Sequence, residues 1–292
     1  MGKRILLFLA TNIVVIITLS IVFSLLGYSG YISPQGQLQL VPLMIFCFIW
    51  GMGGSFISLA MSRWVAKRAV GATVIDGRTG NADLDWVYNT VARMAQQSNL
   101  PMPEVAVYDS PEVNAFATGP SKKRSLVAVS TGLLRNVDRR GVEGVLGHEM
   151  AHIANGDMVT MTLLQGVINA FVMFFARIAA FLVRQALDSR IAGVVSFVVM
   201  IGFEIVFGIL GSMITAWYSR QREFRADAGG AALAGRDSMI GALQQLKRQH
   251  EMVDPSTPAL AAYKIAGGKS WLKLFSTHPD LDLRIAALQA GR

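Results

Sequence analysis

The stretch His148-Glu149-Met150-Ala151-His152 is an H-E-x-x-H pentapeptide set between apolar residues. Two histidines four positions apart lie one turn apart on the same face of a helix, so both imidazoles can reach one metal ion. The glutamate between them stands beside that ion, where its carboxylate can take a proton from a metal-activated water. Because the chain has only four histidines in 292 residues, this spacing predicts a metal-dependent hydrolytic site. The alternative is a helix whose polar residues face solvent or a buried network.

A third ligand is expected elsewhere in the chain, because catalytic zinc takes three protein ligands and leaves a fourth position open. The later segment R-E-F-R-A-D, residues 222–227, offers Glu223 as that ligand. Asp227 follows one helical turn later on the same face and could accept a hydrogen bond from the second nitrogen of a ligand histidine. Taken alone, the segment is equally typical of a solvated helix face. Its combination with the pentapeptide favours the ligand interpretation.

The composition indicates a membrane protein. The hydrophobic fraction of 52% and the mean hydropathy of +0.43 exceed those of ordinary soluble chains. The net charge is +8, yet no basic run is interleaved with aromatics, so we expect no nucleic-acid partner. Basic residues beside membrane spans on an anionic surface explain the charge instead. The chain has a single cysteine, Cys47, which lies in an apolar run. With one cysteine, neither a disulfide framework nor a metal site built from several cysteines is possible.

Two apolar runs near the start predict a first membrane hairpin. The run from Ile5 to Gly27 is long enough to span and lacks a small-x-small cleavage site, so we interpret it as a retained anchor rather than a signal peptide. The run from Leu38 to Ala60 is rich in glycine at its middle, which permits close helix packing. Lys3-Arg4 before the hairpin and three basic residues after it predict that both of its ends are cytoplasmic.

Two further runs, Leu163 to Val183 and Ile191 to Trp217, predict a second hairpin, although they contain Arg177 and Glu204. Charges at membrane depth generally face a partner or a cavity, so one interpretation pairs these two residues across the hairpin. The alternative is a pair of partly buried helices that never cross fully. The segment from Arg184 to Arg190 is expected to be the short extracytoplasmic loop between them.

The polar sequence between the hairpins predicts an α+β region, and the sequence after them predicts helices. The helix that carries the pentapeptide is expected to begin near Asp138 and to end at Asn155-Gly156. The C-terminal part is expected to be helical, with breaks near Asp254-Pro255 and Gly267-Gly268. The other predicted elements are an amphipathic helix, Asp83–Gln97, and three short strands, Glu104–Tyr108, Asn114–Thr118 and Ser125–Val129.

These elements predict a catalytic domain that is split by a membrane hairpin. The third ligand follows the second histidine by some seventy residues, with the second hairpin between them. The ligand helices are therefore expected to extend the third and fourth apolar segments, and the site to lie against the membrane surface. The predicted divisions are a membrane hairpin at residues 1–62, the first part of the catalytic domain at 63–161, a second hairpin at 162–217, and the second part of the catalytic domain at 218–292.

With these features in place, the chain resembles the HtpX-type membrane zinc metallopeptidases, bacterial relatives of the eukaryotic CAAX prenyl endopeptidases, over essentially its whole length. The resemblance implies a mainly α membrane protein with four hydrophobic helices and a cytoplasmic α+β zincin-like (gluzincin) catalytic domain that has a small, edge-exposed sheet. It implies one zinc ion per chain, bound by His148, His152 and Glu223. In the same way, Glu149 matches the general base and acid, and Asp227 matches the acid behind the ligands.

Two more family elements can be matched. Asn114-Ala115-Phe116 resembles the N-A-F segment of the edge strand that aligns the substrate backbone by strand addition. A plain interior strand is the alternative. His278-Pro279 and Arg284 resemble the H-P-x-x-x-x-R element, whose groups stabilise the tetrahedral oxyanion. A lone histidine near the C-terminus could equally be a surface residue.

The function implied by the resemblance is that of an integral-membrane zinc endopeptidase in stress-linked quality control. It would be a multi-pass protein of the bacterial inner membrane with both termini and the catalytic domain cytoplasmic. Its partners would be the lipid bilayer and protein or peptide substrates, namely membrane or misfolded proteins. Two alternatives stay open: a membrane scaffold or transport component with a structural metal site, and a dedicated processing protease for one substrate. The sequence does not specify the oligomeric state.

Overall fold

The computed structural model of the chain describes residues 2–26, 30–252 and 272–291. Those residues are mostly helical and include one four-stranded sheet. In chain order the helices and strands are α1 Gly2–Leu25, α2 Leu40–Val70, β1 Thr73–Ile75, α3 Ala82–Gln97, β2 Glu104–Tyr108, β3 Ala115–Ser121, β4 Arg124–Ser130, α4 Thr131–Asn136, α5 Arg139–Asn155, α6 Asp157–Ala186, α7 Ser189–Ala234, α8 Arg236–Met252, a 3-10 turn Leu272–Phe275, and α9 Leu281–Gln289.

The chain divides into two compact units. The apolar unit contains Met1–Leu59 and Thr160–Thr215, and the sheet unit contains Ala60–Val159 and Ala216–Arg292. Three described helices, α2, α6 and α7, are long and apolar enough to cross a membrane, and α1 contains a shorter apolar stretch, Ile13–Leu25. The chain is thus a mainly helical membrane protein with a small mixed sheet. A fourth span and the cytoplasmic placement of the sheet unit stay predictions.

Small residues let the helices of the apolar unit pack backbone to backbone. A Cβ atom added at Gly51 of α2 would lie 2.7 Å from the nitrogen of Ala170 and 2.8 Å from the carbonyl oxygen of Gly166, both in α6. At Gly53 it would lie 2.7 Å from a methyl group of Leu19 in α1. Close approach of this kind is how helices associate in lipid, where apolar burial against water is absent. Gly51 therefore has the close-packing role that was predicted for the glycines at the middle of the second run.

The two charged residues of the later runs contact each other. Arg177 Nη1 lies 3.5 Å from Glu204 Oε1, and the Arg177 guanidinium also lies 5.4 Å from the ring centroid of Phe46. The predicted pairing between α6 and α7 is therefore present. Because each charge has a partner, the cost of placing it among apolar side chains is reduced.

The connection between α6 and α7 is shorter than predicted. The expected loop from Arg184 to Arg190 is wrong, because α6 continues to Ala186 and α7 begins at Ser189. The carboxylate of Asp188 accepts the backbone N–H of Arg190 at 3.1 Å, so the next helix starts at once. Both arginines consequently lie within helices.

The sheet has the order β1-β2-β4-β3. Strand β1 pairs antiparallel with β2, β2 pairs parallel with β4, and β3 pairs antiparallel with β4. The three predicted strands are confirmed, the middle one shifted to Ala115–Ser121, whereas β1 and α4 were not predicted. Among the described strands β3 pairs only with β4, so one of its edges is open.

The core of the sheet unit lies between the sheet and two helices, α3 and α5. Its fully buried side chains include Val87, Val91 and Met94 of α3 and Leu146 and Ile153 of α5. The opposite face of the sheet carries a smaller buried cluster. The helix α5, which carries the pentapeptide, is therefore fixed along its length by the main core.

The bounds of α5 follow from two cap residues and confirm the prediction. The carboxylate of Asp138 accepts the N–H of Gly141 at 2.7 Å, which caps the helix start. Gly156 has a φ of 72°, in the left-handed region that favours glycine, and its N–H bonds back to the carbonyl groups of the last turn. The pentapeptide helix therefore ends one turn after His152. The predicted breaks after Met252 lie outside the described residues.

Candidate metal centre

Two helices of the sheet unit approach each other closely enough to bring distant residues into one site. Gly147 of α5 and Gly230 of α7 lie at the contact, and a Cβ atom added at Gly230 would be 2.9 Å from the backbone nitrogen of His148. Only glycine permits this separation. The helix α7 is unbroken from Ser189 to Ala234, so the segment with Glu223 and Asp227 continues the fourth apolar run, as the sequence predicts.

The two histidines of the pentapeptide are buried and face each other. His148 and His152 are 9% and 8% exposed, and their Nε2 atoms are 3.1 Å apart. Each Nδ1 atom lies against a buried carboxylate: His148 against Asp227 at 2.9 Å, and His152 against Asp157 at 2.6 Å. Both rings are therefore held from behind, with their Nε2 atoms directed at a common point.

The carboxylates decide which nitrogen of each ring carries the proton. Asp227 and Asp157 can only accept hydrogen bonds when ionised, so each Nδ1 donates its proton to one of them. A neutral imidazole then has a lone pair on Nε2. When both rings are neutral, the two lone pairs of His148 and His152 meet across 3.1 Å, and two acceptors cannot bond to each other, so a proton or a metal cation must lie between them. The arrangement is that of two ligands converging on a cation.

Glu223 completes this donor set. Its carboxylate is 1% exposed, with Oε1 at 3.4 Å from His152 Nε2 and Oε2 at 3.5 Å from His148 Nε2. Among the described residues Oε1 has no hydrogen-bond partner although it is buried. A buried, unsatisfied carboxylate oxygen is costly, and a cation between it and the two imidazoles would remove that cost.

The residues present fit a zinc ion. Ligand atoms of His148, His152 and Glu223 all lie within 4.8 Å of one another, and all three residues are buried. Two imidazoles bound tetrahedrally at roughly 2.0–2.1 Å would place their nitrogens about 3.3 Å apart, close to the observed separation of 3.1 Å. Two imidazoles and a carboxylate are also a known ligand set of catalytic zinc, which leaves a position for water.

The surrounding charges favour positive charge at this point. Burial alone would lower the pKa of His148, but nearby Asp227 and Glu223 raise it. Burial would also lower the pKa of His152, but the hydrogen bonds with Asp157 and Glu223 outweigh that effect. The pKa of His152 therefore rises to about 9. Although burial would raise the pKa of Glu223, the neighbouring imidazoles hold it far below its usual range. The same field would attract a divalent cation.

Arg284, matched above to an oxyanion-stabilising residue, is placed behind the ligands. Its guanidinium donates to both oxygens of Asp227, at 2.7 Å from Nε and 2.6 Å from Nη2. Nη1 lies 3.5 Å from Glu223 Oε2, and the residue is only 6% exposed. A two-bonded contact fixes the Asp227 carboxylate in direction as well as charge. Arg284 therefore contacts the acid behind His148 and the carboxylate of Glu223, and it is buried.

His278 is placed at the same site but is accessible. Its Nδ1 lies 2.9 Å from Glu223 Oε2, while 63% of its side chain is exposed. The segment before it is held by Arg220, whose Nη1 donates to the carbonyl oxygens of Ser276 at 2.7 Å and Leu274 at 3.3 Å. His278 thus contacts a ligand carboxylate with one edge of its ring and faces solvent with the rest.

The remaining sequence-predicted residues lie on α5 and at β3. Glu149 lies between the two histidines on α5, and its charge acts on both imidazoles. Asn114 is exposed and precedes β3, where its N–H donates to Ser130 Oγ at 3.1 Å. Ala115 begins the strand, and the ring of Phe116 packs against Tyr108 on the sheet. The N-A-F segment therefore stands at the start of the open edge strand.

Asp157, which sequence reasoning missed, has the same place behind His152 that Asp227 has behind His148. It is the first residue of α6 and is 2% exposed. The sequence holds one signal for it, an acid immediately after the Asn155-Gly156 pair that ends the pentapeptide helix. Only the left-handed turn at Gly156 brings that acid back toward His152.

Comparison with known proteins gives the family. The model of "Peptidase family M48" matches residues 81–292. The chain is 52% identical to the "Protease HtpX homolog" of Bacillus licheniformis and 51% identical to the "Protease HtpX" of Idiomarina loihiensis. Each of these comparisons covers 99% of this chain and 100% of the relative.

A solved structure with a similar fold is that of S. mikatae Ste24p, with a TM-score of 0.67 at 15% identity. The likeness covers 98% of this chain but 64% of the Ste24p chain, so this chain spans less than two thirds of that protein's length. At this identity the likeness concerns the fold alone. Since the family model covers most of the chain and relatives of about 50% identity match almost all of it, the chain belongs to peptidase family M48.

Proposed function

We propose that this chain is a zinc-dependent endopeptidase of the membrane that hydrolyses peptide bonds of membrane or misfolded proteins. The observation that carries the proposal is the donor set of His148, His152 and Glu223. The Nε2 atoms of two imidazoles converge across 3.1 Å beside a buried carboxylate oxygen that has no hydrogen-bond partner in the described part of the chain. Glu149 lies between the two histidines in the sequence of α5, and a purely structural metal site would not require a carboxylate at that position.

His148, His152 and Glu223 would hold a zinc ion, which would act as a Lewis acid toward the scissile carbonyl and would lower the pKa of a water molecule to about 7. Glu149 takes the proton of the attacking water with its carboxylate. The same carboxylic acid then donates that proton to the nitrogen of the leaving amine. Because Glu149 serves as base and then as acid, no serine or cysteine nucleophile is required.

The residues behind the ligands hold them in one orientation. Asp227 and Asp157 accept from the Nδ1 atoms and so keep both Nε2 atoms available as ligands. Arg284 fixes Asp227 through two hydrogen bonds, and we assign it a positioning role on that contact. His278 is the group that can donate a proton or a hydrogen bond to the substrate oxyanion, because most of its ring is exposed beside Glu223.

The open edge of β3 is the proposed place for the substrate backbone. An extended peptide can pair with unpaired strand atoms as an additional strand, which gives binding that is independent of side chains. The segment Asn114-Ala115-Phe116 lies where that edge begins. Such a mode suits an enzyme that cleaves many unfolded segments rather than one sequence.

The location of the enzyme is inferred from its charges. Lys3-Arg4 and the basic residues at the end of α2, including Lys67 and Arg68, favour cytoplasmic flanks for the first hairpin. We therefore propose that both termini and the metal centre are on the cytoplasmic side of the bacterial inner membrane. A role in stress-linked removal of damaged membrane proteins fits this location and the family.

The test is the variant Glu149→Gln, purified in detergent beside the wild type. We expect one zinc per chain in both proteins, and casein cleavage lower by about 10²–10⁴-fold in the variant, because only the proton acceptor is lost. Zinc is measured by mass spectrometry and cleavage with a labelled casein, with and without chelator. Stoichiometric zinc without turnover in the wild type would favour a membrane scaffold. Wild-type activity in Glu149→Gln would exclude the mechanism.

A further inference from the structure

The two ends of the open strand β3 have opposite charge. At its C-terminal end the hairpin to β4 carries Lys122, Lys123 and Arg124, all exposed. At its N-terminal end the segment between β2 and β3 carries Asp109 and Glu112, both exposed. The two ends are separated by a strand of seven residues, which corresponds to about 20–25 Å.

The basic end also lies beside the metal helix. The Lys122 Cε atom is 3.9 Å from the position that a Cβ would take at Gly156, the residue that ends α5. The charge of Arg225, which is exposed on α7, acts on Asp157, the next residue along the chain. The carboxylate of Asp157 is already directed at His152. Positive charge therefore collects one helical turn beyond the second histidine.

The acidic end is fixed by the last residue of β4. Ser130 Oγ donates to the carbonyl oxygen of Glu112 at 2.6 Å and accepts the N–H of Asn114 at 3.1 Å. In addition, Thr131 Oγ1 donates to the Asp109 carboxylate at 3.0 Å. These bonds hold Asp109 at the end of β2 and Glu112 ahead of β3, at the end of the sheet where Ala115 faces Val129. Because β4 lies between β2 and β3, Glu112 is the acid of the two that belongs to the start of the open strand.

Resting on the proposed endopeptidase function, we propose that the open edge of β3 selects peptide segments that are acidic toward their N-terminus and basic toward their C-terminus. Antiparallel pairing is the more stable arrangement of two strands. A peptide paired antiparallel with β3 has its N-terminal part beside Ser121 and the lysines, and its C-terminal part beside Ala115 at the end that carries Glu112. Each part then meets opposite charge, and a segment of reversed polarity meets like charge at both ends.

The experiment uses three blocked fluorogenic peptides with one uncharged core of eight residues. The first has two glutamates before the core and two lysines after it, the second has the reverse order, and the third has serines at those places. We expect kcat/KM for the first peptide to exceed that for the second by about fivefold to tenfold at low ionic strength, since exposed charge pairs are individually weak. The ratio should approach one in about 0.5 M salt.

Matched charge reversals locate the effect. Lys122→Glu should lower the ratio of the two charged peptides by about threefold. Arg78→Glu changes the net charge equally but lies in the loop after β1, at the other edge of the sheet, and should leave the ratio unchanged. Equal cleavage of both charged peptides beside cleavage of the third would overturn the proposed polarity. A preference for the second peptide would also overturn it, because the peptide would then run parallel to β3.

Two further outcomes distinguish other causes. If Lys122→Glu slowed all three peptides equally in vesicles of anionic lipid and left their ratio intact, the lysine would contact the bilayer rather than the substrate, and the proposal would fall. If the zinc-loaded wild type cleaved none of the peptides and no casein, the endopeptidase function itself would be wrong. The third, uncharged peptide separates that failure from a failure of the charge preference alone.

Discussion

Two ion pairs, one in each unit, show how differently this chain uses charge in apolar surroundings. In the apolar unit Arg177 and Glu204 make one contact of 3.5 Å, and their side chains are 18% and 38% exposed. In the sheet unit Arg284 and Asp227 make two contacts of 2.6 and 2.7 Å, and their side chains are 7% and 2% exposed. The second pair is fully buried and fixed in direction, whereas the first is a single loose contact.

The difference lies in what each pair is connected to. Asp227 also accepts from His148 at 2.9 Å, and Arg284 also approaches Glu223 at 3.5 Å, so this pair is joined to two of the metal-binding residues. Arg177 otherwise bonds a backbone carbonyl of its own helix and faces the ring of Phe46. A buried pair is weak evidence for stability by itself. The other residues that a buried ion pair contacts indicate whether it positions the groups of a functional site or holds two helices together.

The largest expected effect separates two glutamates of the same helix, Glu223 and Glu204 on α7. Glu223→Ala should purify without stoichiometric zinc and show only background cleavage of casein, because it removes one of three metal-binding groups. The matched variant Glu204→Ala, in the apolar unit, should bind zinc as the wild type does. The measurement is the zinc content of the two purified variants after mild chelation. Equal zinc content in the two variants would mean that the third ligand is misassigned.

The next effect concerns the two acids behind the imidazoles. Asp227→Ala and Asp157→Ala should each weaken zinc binding or activity by about 10–100-fold, because the tautomer and direction of one imidazole are no longer fixed. The control is Asp188→Ala between α6 and α7, which should change neither quantity. Competition with a zinc-binding dye measures the affinity. Loss of zinc as complete as in Glu223→Ala would show that the acid is itself a ligand.

The sequence allowed most of this arrangement to be predicted where a local rule applied. A capping aspartate and an Asn-Gly pair mark the two ends of α5, and short β-branched runs mark three strands. The pairing of Arg177 with Glu204 followed from the cost of lone charges in apolar runs. In each case the information lies within the segment itself or in one physical constraint that leaves few solutions.

Features that depend on tertiary contacts were not predictable. Strand β1 is a β-branched run of only three residues, too short to be identified as a strand without its pairing with β2. Asp157 contacts His152 only through the turn at Gly156. The burial of Arg284 could not be inferred from its motif, since the same spacing suits a residue directed at the substrate. The length of the loop from Arg184 to Arg190 was overestimated, because the apolar run ends before the helix that contains it.

A smaller effect compares the two arginines directly. Arg284→Met removes the charged partner of the buried Asp227 and leaves it, among the described residues, only the contact with His148, so it should destabilise the sheet unit by about 3–5 kcal/mol. Arg177→Met in the apolar unit leaves Glu204 without its partner, but the side chain of Glu204 is 38% exposed, so the destabilisation should be smaller than that of Arg284→Met. Thermal unfolding of both variants in detergent, each on a Glu149→Gln background, measures the difference. Equal destabilisation would remove the distinction between the two pairs.

The smallest expected effect comes from removing the residues that cap helix starts. We expect it to be larger in the sheet unit than in the apolar unit, because the two helices have different surroundings. Asp138→Ala should cost about 1 kcal/mol by removing the cap of α5, which is a fall of about 2–4 °C in Tm. Asp188→Ala, at the start of α7, should lower Tm less. In apolar surroundings the helix cannot exchange its backbone bonds for bonds to water, so α7 depends less on its cap.

The pH dependence of the same cap gives a sign that can be checked. The N–H of Gly141 and the side chain of Gln245 hold the pKa of Asp138 below its usual value of 3.8. A lowered pKa gives stability that is present above 3.8 and is lost as the pH falls through the lowered folded value. Asp138→Asn keeps an acceptor for Gly141 but has no charge to lose. The Tm advantage of the wild type over Asp138→Asn should therefore be constant above about pH 5 and shrink below pH 4; an advantage that grew on acidification would mean that the carboxylate does not act as the cap.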